Sequence, residues 1–138
     1  MDIEKINEII EIYKKVDSIV FEKKIVKLID KFPSNHILYN LYGATLLDQN
    51  KIDLSIIKFK KSIAINNNYA EAYNNLASAY LKKNNLNDSK KNFKKSILIK
   101  PNFELAKINL SNIYVLLGNK FLKNFDYSSA IYNYNNAI

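Results

Sequence analysis

The sequence predicts an all-α solenoid built from antiparallel helix pairs, and three observations carry that reading. First, the chain repeats itself. Counted from Ala70, the unit AEAYNNLASAYLKKNNLNDSKKNFKKSILIKPNF ends at Phe103, and Tyr39, Gly43, Phe59, Ser62 and Ile65 precede Tyr73, Ala77, Phe93, Ser96 and Ile99 by that same interval. Aromatic, small and aliphatic residues recurring with a period of about 34 residues mark helix–turn–helix units that stack on one another. Second, there are only two Gly and two Pro in 138 residues, which favours long helices over sheets with tight hairpins. Third, apolar residues recur with helical spacing, as in Val20, Phe21, Ile25, Leu28 and Ile29.

Taken in order, residues 1–34 form a degenerate helix pair, with helices near 3–15 and 18–31, serving as an N-terminal cap. Phe21 and Leu28 stand where later units place small residues. The first regular unit is 36–69, with helices near 35–48 and 52–65. The second is 70–103, with helices near 69–82 and 86–99. The third is 104–138, with helices near 102–124 and 127–138. Ser34 or Asn35, Asn68 and Asp126 are placed to cap helix starts, and Pro101 separates two helices.

The third unit needs a register argument. From Ser111 on, Tyr114, Leu117, Gly118 and Phe121 fit the first helix, and Ala130, Tyr134 and Ala137 fit the second. Seven residues, Glu104 to Leu110, are then left over. Seven residues are close to two helical turns, so they extend the first helix at its N-terminal end by two turns and keep its buried face in phase. A rival register starts from Asn109 and puts the seven extra residues in the turn.

Packing explains the recurring residue types. Gly43, Ala77 and Gly118 sit where the paired helix passes close. Ser55, Ser62, Ser89 and Ser96 hold small positions on second helices, each hydroxyl expected to bond back to a carbonyl one turn earlier. Tyr39, Tyr73 and Tyr114 fill the gap to the next pair, and most of the ten Tyr are expected in the core.

This pattern resembles the tetratricopeptide repeat family, and the resemblance implies a right-handed superhelix whose first helices line a concave groove that binds other proteins. Carried over residue by residue, the groove positions include Asn40, Leu41 and Leu47 in the first unit, Asn74, Asn75, Ser78 and Lys82 in the second, and Asn112, Leu116 and Asn119 in the third. An Asn amide can donate and accept at once, and so can clamp an extended peptide backbone. Asn75 matches the sixth-position Asn of the repeat arm in O-linked N-acetylglucosaminyltransferases, and Asn109 matches it in the rival register; Leu41 interrupts that series. Family members that grip a C-terminal carboxylate use Lys and Asn on the first repeat and a basic residue on the third. Here those sites hold Asn40, Ala44, Asn112 and Leu116, so only Asn75 conforms and that clamp is absent.

Composition bounds the rest. The hydrophobic and charged fractions are 48% and 25%, ordinary for a globular domain. No Cys is present, which removes disulfide and thiolate chemistry. No apolar run reaches the ~20 residues of a membrane helix, and the start resembles no signal peptide, so a cytoplasmic protein without membrane contact is expected. The net charge is +8, all of it from Lys with no Arg. Bidentate reading of phosphate or guanine leans on Arg, so a nucleic-acid surface is disfavoured. The lysines cluster between residues 51 and 100, eleven against Asp53, Glu71 and Asp88, and the runs at Lys58–Lys61 and Lys90–Lys95 read as a solvated convex face. His36 is the single histidine and has no second ligand nearby. No phosphate loop, metal set or cofactor motif is present, and catalysis by this chain is not expected.

The chain stops inside the second helix of its third unit. Ala130, Ile131, Tyr134, Ala137 and Ile138 would then lack a capping helix, so either the chain is a piece of a longer protein or its end pairs with another copy. The function expected is a non-catalytic scaffold that binds a peptide or protein segment in the groove. The alternative is the substrate-recruiting arm of a larger glycosyltransferase or sulfotransferase.

Overall fold

The computed structural model describes residues 3–137, which contain eight α-helices and no strand. They are α1 Ile3–Lys15, α2 Ser18–Lys31, α3 His36–Asp48, α4 Ile52–Ile65, α5 Ala70–Lys82, α6 Leu86–Ile99, α7 Glu104–Lys123 and α8 Tyr127–Asn135. Their bounds follow the periodicity closely. The largest difference is at α8, whose last residue is Asn135; Ile138, counted among the residues to be covered, lies outside the described residues. None of the described helices is long and apolar enough to cross a membrane.

Side-chain caps start four helices among the described residues. Asp17, Asn35, Asn85 and Asp126 each accept a backbone N–H from the first turn of α2, α3, α6 and α8. Asn68 does not cap α5 as expected: Tyr69 occupies that position, without a side-chain bond, and the Asn68 N–H instead donates to Asn66 Oδ1 at 3.0 Å. First helices end in a repeated motif. Lys51, Asn85 and Asp126 donate their N–H to the carbonyls of Leu46, Tyr80 and Phe121, at 2.8, 2.9 and 3.0 Å. This six-to-one bond needs a left-handed residue just before the donor. Those residues are Asn50, Asn84 and Phe125, with φ of 60°, 58° and 59°. Asn tolerates that conformation; Phe does not.

Each helix packs on its neighbours in sequence, and α3 also packs on α5. Three buried clusters result. Ile9, Phe21, Ile25, Leu38 and Leu41 join α1 and α2 to α3. Ile56, Phe59, Leu76 and Ala79 join α4 to α5, and Ala77, Phe93, Ala106, Ile113 and Leu117 join α5 and α6 to α7.

Within each regular pair the crossing is very tight. A Cβ added at Gly43 would lie 2.6 Å from the Phe59 ring, and one at Gly118 the same distance from Tyr134. Ala77 and Phe93, both fully buried, share a cluster at the corresponding place. Gly43 and Ala77 stand one repeat period apart, whereas Ala77 and Gly118 stand a period plus seven positions apart. The extra segment therefore lies inside α7 as two added turns. The rest of α7 keeps the shorter offset toward its predecessors, for Ala106 is as deeply buried as Ala72, one period earlier. The turn from α7 to α8 is no longer than those that follow α3 and α5, so the rival register, which puts the extra residues in that turn, does not hold.

Close crossing also changes the serine bonds. Ser55 alone bonds within its own helix, to Ile52 O at 2.7 Å. Ser62, Ser89 and Ser96 instead reach across to the first helix, donating to the carbonyls of His36, Ala77 and Ala70 at 2.8, 2.9 and 2.8 Å. In the last pair the roles reverse, Ser111 on α7 donating to the carbonyl of Ala137. The expected back-bonding loses because a helical carbonyl keeps a second lone pair and the neighbouring helix presents one within reach.

The tyrosines are also less buried than expected. Among the described residues Tyr114 alone is fully buried, while Tyr127 and Tyr132 are exposed and the others half-buried. A phenol keeps its hydroxyl near water or a partner. His36 packs edge-on against Tyr69 with ring centroids 4.7 Å apart, and its Nε2 lies 3.1 Å from Asn66 Nδ2. An amide N–H can donate there only to a neutral imidazole, and burial lowers the His36 pKa.

Four outcomes follow from this packing. Gly43→Ala should destabilise the fold by about 1–3 kcal/mol, because the buried Phe59 ring cannot retreat, despite the better helix propensity of Ala. Gly118→Ala should cost under about 1 kcal/mol, since half-buried Tyr134 can swing toward solvent; urea denaturation of the two variants compares them directly. Phe125→Asn should gain about 1 kcal/mol by relieving the left-handed phenylalanine, read as a rise in urea midpoint. His36 resists protonation in the folded state. Above about pH 6.5 both states are neutral and nothing is lost, and stability falls as pH drops through the unfolded value toward the lower folded one. The melting temperature of His36→Gln should therefore drop less than that of the parent chain between about pH 7.5 and 5.5.

Candidate functional site

The face built by first helices carries a short amide network. α3 and α5 pack side by side, and Asn75 Nδ2 donates to Asn40 Oδ1 across the seam at 3.0 Å. Asn74 Nδ2 donates to Asn75 Oδ1 at 3.3 Å, and Ser78 Oγ donates to the Asn74 carbonyl at 3.1 Å. One turn further on, Lys82 Nζ donates to the Leu47 carbonyl at 3.3 Å. Tyr69 meets the network at Asn40. Burial and the charge of Glu71 push its hydroxyl up to about 12, against a hydrogen bond from Asn40 that pulls the other way.

The predicted residues differ sharply in access. Asn40, Leu41 and Asn74 are buried, Asn74 only 4% exposed, and the Asn74 Oδ1 atom has no hydrogen-bond partner. Leu47, Asn75 and Ser78 are half-buried, and Lys82 is exposed. Asn75 is thus the amide of this group that faces outward, and its neighbours hold it in place. Asn40 and Asn74 are buried and bond to Asn75 from either side, which leaves Asn75 the accessible amide of the three.

The α7 residues form a separate group. Asn112 and Asn119 are exposed and Asn109 is half-buried. Among the described residues no hydrogen bond joins any of them to the amide network. Asn119 Oδ1 accepts from the Tyr134 hydroxyl at 2.6 Å. The backbones of α5 and α7 stand farther apart than those of α3 and α5. In the gap lies a pocket of about 510 Å³, which brings Leu81 together with Leu116, Asn119, Leu122 and Lys123. It also includes Asn84, Leu86 and Lys120, which repeat positions alone do not select. The available signal was the seven-residue excess, which predicts that α7 outruns α5.

The lysines of α4 and α6 are more than a solvated face. Lys58 Nζ lies 4.8 Å from the Tyr42 ring centre and Lys61 Nζ lies 6.0 Å from that of Tyr39. Lys90 and Lys94 both approach Tyr114, at 5.7 and 5.6 Å. Their stems and charges cover aromatic faces of the first helices. Among the described residues no group of three His, Asp or Glu converges as a metal site would require.

Comparisons with known proteins fit this architecture. A family model described as TPR repeat matches residues 43–84, and one described as tetratricopeptide repeat matches residues 70–103. No curated protein sequence matches the chain significantly. Among solved structures, MamA superposes with a TM-score of 0.69 at 18% identity, over 87% of this chain and 62% of the MamA chain. The chain thus spans less than two thirds of that relative. The first TPR of Spaghetti (RPAP3), bound to the HSP90 peptide SRMEEVD, gives a TM-score of 0.72 at 22% identity, over 83% of this chain and 88% of that one. The O-GlcNAc transferase of Thermobaculum terrenum gives 0.74 at 12% identity, over 86% of this chain and 25% of the transferase. At these identities the likeness is one of fold. Period, helix pairing and family match agree: the chain is a member of the tetratricopeptide repeat family.

Proposed function

We propose that this chain is a non-catalytic scaffold whose first helices bind an extended peptide or protein segment. The observation that carries the reading is the bracing of Asn75. Its Nδ2 is committed to Asn40 and its Oδ1 receives Asn74, so the half-exposed amide is held in one orientation and keeps a free proton and lone pair for a ligand backbone. Leu47 and Leu81 on the same two helices, with Leu116 across the gap on α7, supply apolar surface, and Lys82 adds a positive charge. The peptide-bound RPAP3 repeat shares the fold, which supports a peptide ligand here, while the carboxylate-clamp residues are absent from the corresponding positions.

A second reading makes the chain the recruiting arm of a larger transferase. It is favoured by Asn75 at the sixth repeat position and by the fold shared with the Thermobaculum terrenum enzyme, of which it spans a quarter. In that case the same groove holds a substrate segment, and the chemistry belongs to another domain.

Peptides recovered from a random displayed library supply the probe. Asn75→Ala should weaken their binding about tenfold while far-ultraviolet circular dichroism stays unchanged. Lys94→Ala, on the opposite face, should leave binding unaltered. Equal affinity for Asn75→Ala and the parent chain rejects the groove assignment.

A further inference from the structure

We propose that the overhanging end of α7 forms a docking ledge for an acidic peptide segment bearing a large apolar side chain. α7 starts level with α5 in the repeat register, where Ala106 is buried as Ala72 is. It is also longer by nearly two turns, 20 residues against 13, which amounts to about 10 Å of extra helix. Its last two turns therefore run on past the end of α5 and over the turn into α6. Leu81, Leu86, Leu116 and Leu122 form the apolar walls of the pocket this creates, with Lys120 and Lys123 at its rim. Leu116 and Leu122 remain 42% and 46% exposed.

The charge selects the occupant. The pocket has no carboxylate in its lining, nor has the adjoining pocket of about 420 Å³ on the other side of α7. Asp88 and Asp126, which flank the ledge in sequence, are both engaged at helix starts, by Asn85 and Ser129. Lys120 and Lys123 form no ion pair among the described residues. A volume of about 510 Å³ is within the range of ligand pockets and accepts an aromatic side chain or two adjacent aliphatic ones. Acidic residues on either side of that anchor would meet the two lysines. The ledge exists because of the seven residues added beyond the repeat period, so it belongs to this chain and not to regular repeats. It deepens the groove reading and rests on it, since Leu116 and Asn119 belong to both.

The test uses the whole 138-residue chain against a displayed library of random peptides about 12 residues long, a span sufficient to cross two helices. Recovered peptides are titrated by fluorescence polarisation. They should share a Leu, Ile, Met or Phe flanked by Asp or Glu. Leu116→Glu and Leu122→Glu, both at exposed positions, should each weaken binding by about tenfold or more. The double variant Lys120→Glu with Lys123→Glu should weaken it and flatten its dependence on salt. Peptides that bind both leucine variants as tightly as the parent overturn the ledge. If those peptides are nevertheless lost with Asn75→Ala, the groove reading survives and the ledge alone falls. Recovery of no peptide above the unselected pool overturns both.

Discussion

The close crossing of paired helices is the constraint on which the rest of this structure depends. At Gly43, Ala77 and Gly118 the first helix offers little or no side chain, and the ring of Phe59, Phe93 or Tyr134 fills the place against it. That proximity puts Ser62 and Ser96 within reach of carbonyls on the other helix, so each pair is tied by a hydrogen bond as well as by packing. The third pair keeps the arrangement with altered residues. Its ring carries a hydroxyl that bonds Asn119, and its serine lies on the first helix instead of the second. Geometry is preserved while donor and acceptor change sides, because what the fold requires is the distance and not a particular side chain.

α7 is where one helix serves two neighbours in different registers. Seven residues advance a helix by nearly two full turns, so the buried stripe stays buried. Ile113 shows the effect: it stands one period after buried Ala79, and one period plus the insertion after buried Ala72, and is itself fully buried. The cost of the insertion falls elsewhere. Leu116 and Leu122 on α7 stay exposed where Leu41 and Leu76 on the earlier first helices are buried, and the gap toward α5 is open.

The amide network illustrates how stability and recognition share residues. Asn40 and Asn74 are buried polar groups that would be costly alone, and bonding to each other through Asn75 offsets most of that cost. Asn74 Oδ1 is the unsatisfied remainder. Tyr69 connects this network to the His36 end of the same seam, so the outward amide is fixed by contacts reaching from the start of α3 to the middle of α5.

Helices, their pairing and the length of α7 were legible in the sequence, because each depends on local periodicity that recurs from one unit to the next. The sequence alone puts the added turns at the start of α7, whereas α7 begins level with α5 and overhangs at its end. The small-residue crossings were legible for the same reason, as were the caps at Asn35 and Asp126. What the serines bond to, how far the tyrosines are buried, which lysines cover rings and which of the candidate amides face outward were not. All of these depend on distances of a few ångströms between helices, which no single repeat encodes. Repeat position assigns Asn74 and Asn75 alike to the groove face. Only the packing of α3 against α5 buries one and leaves the other accessible, since adjacent helical residues point about 100° apart and the neighbouring helix covers just one of those directions.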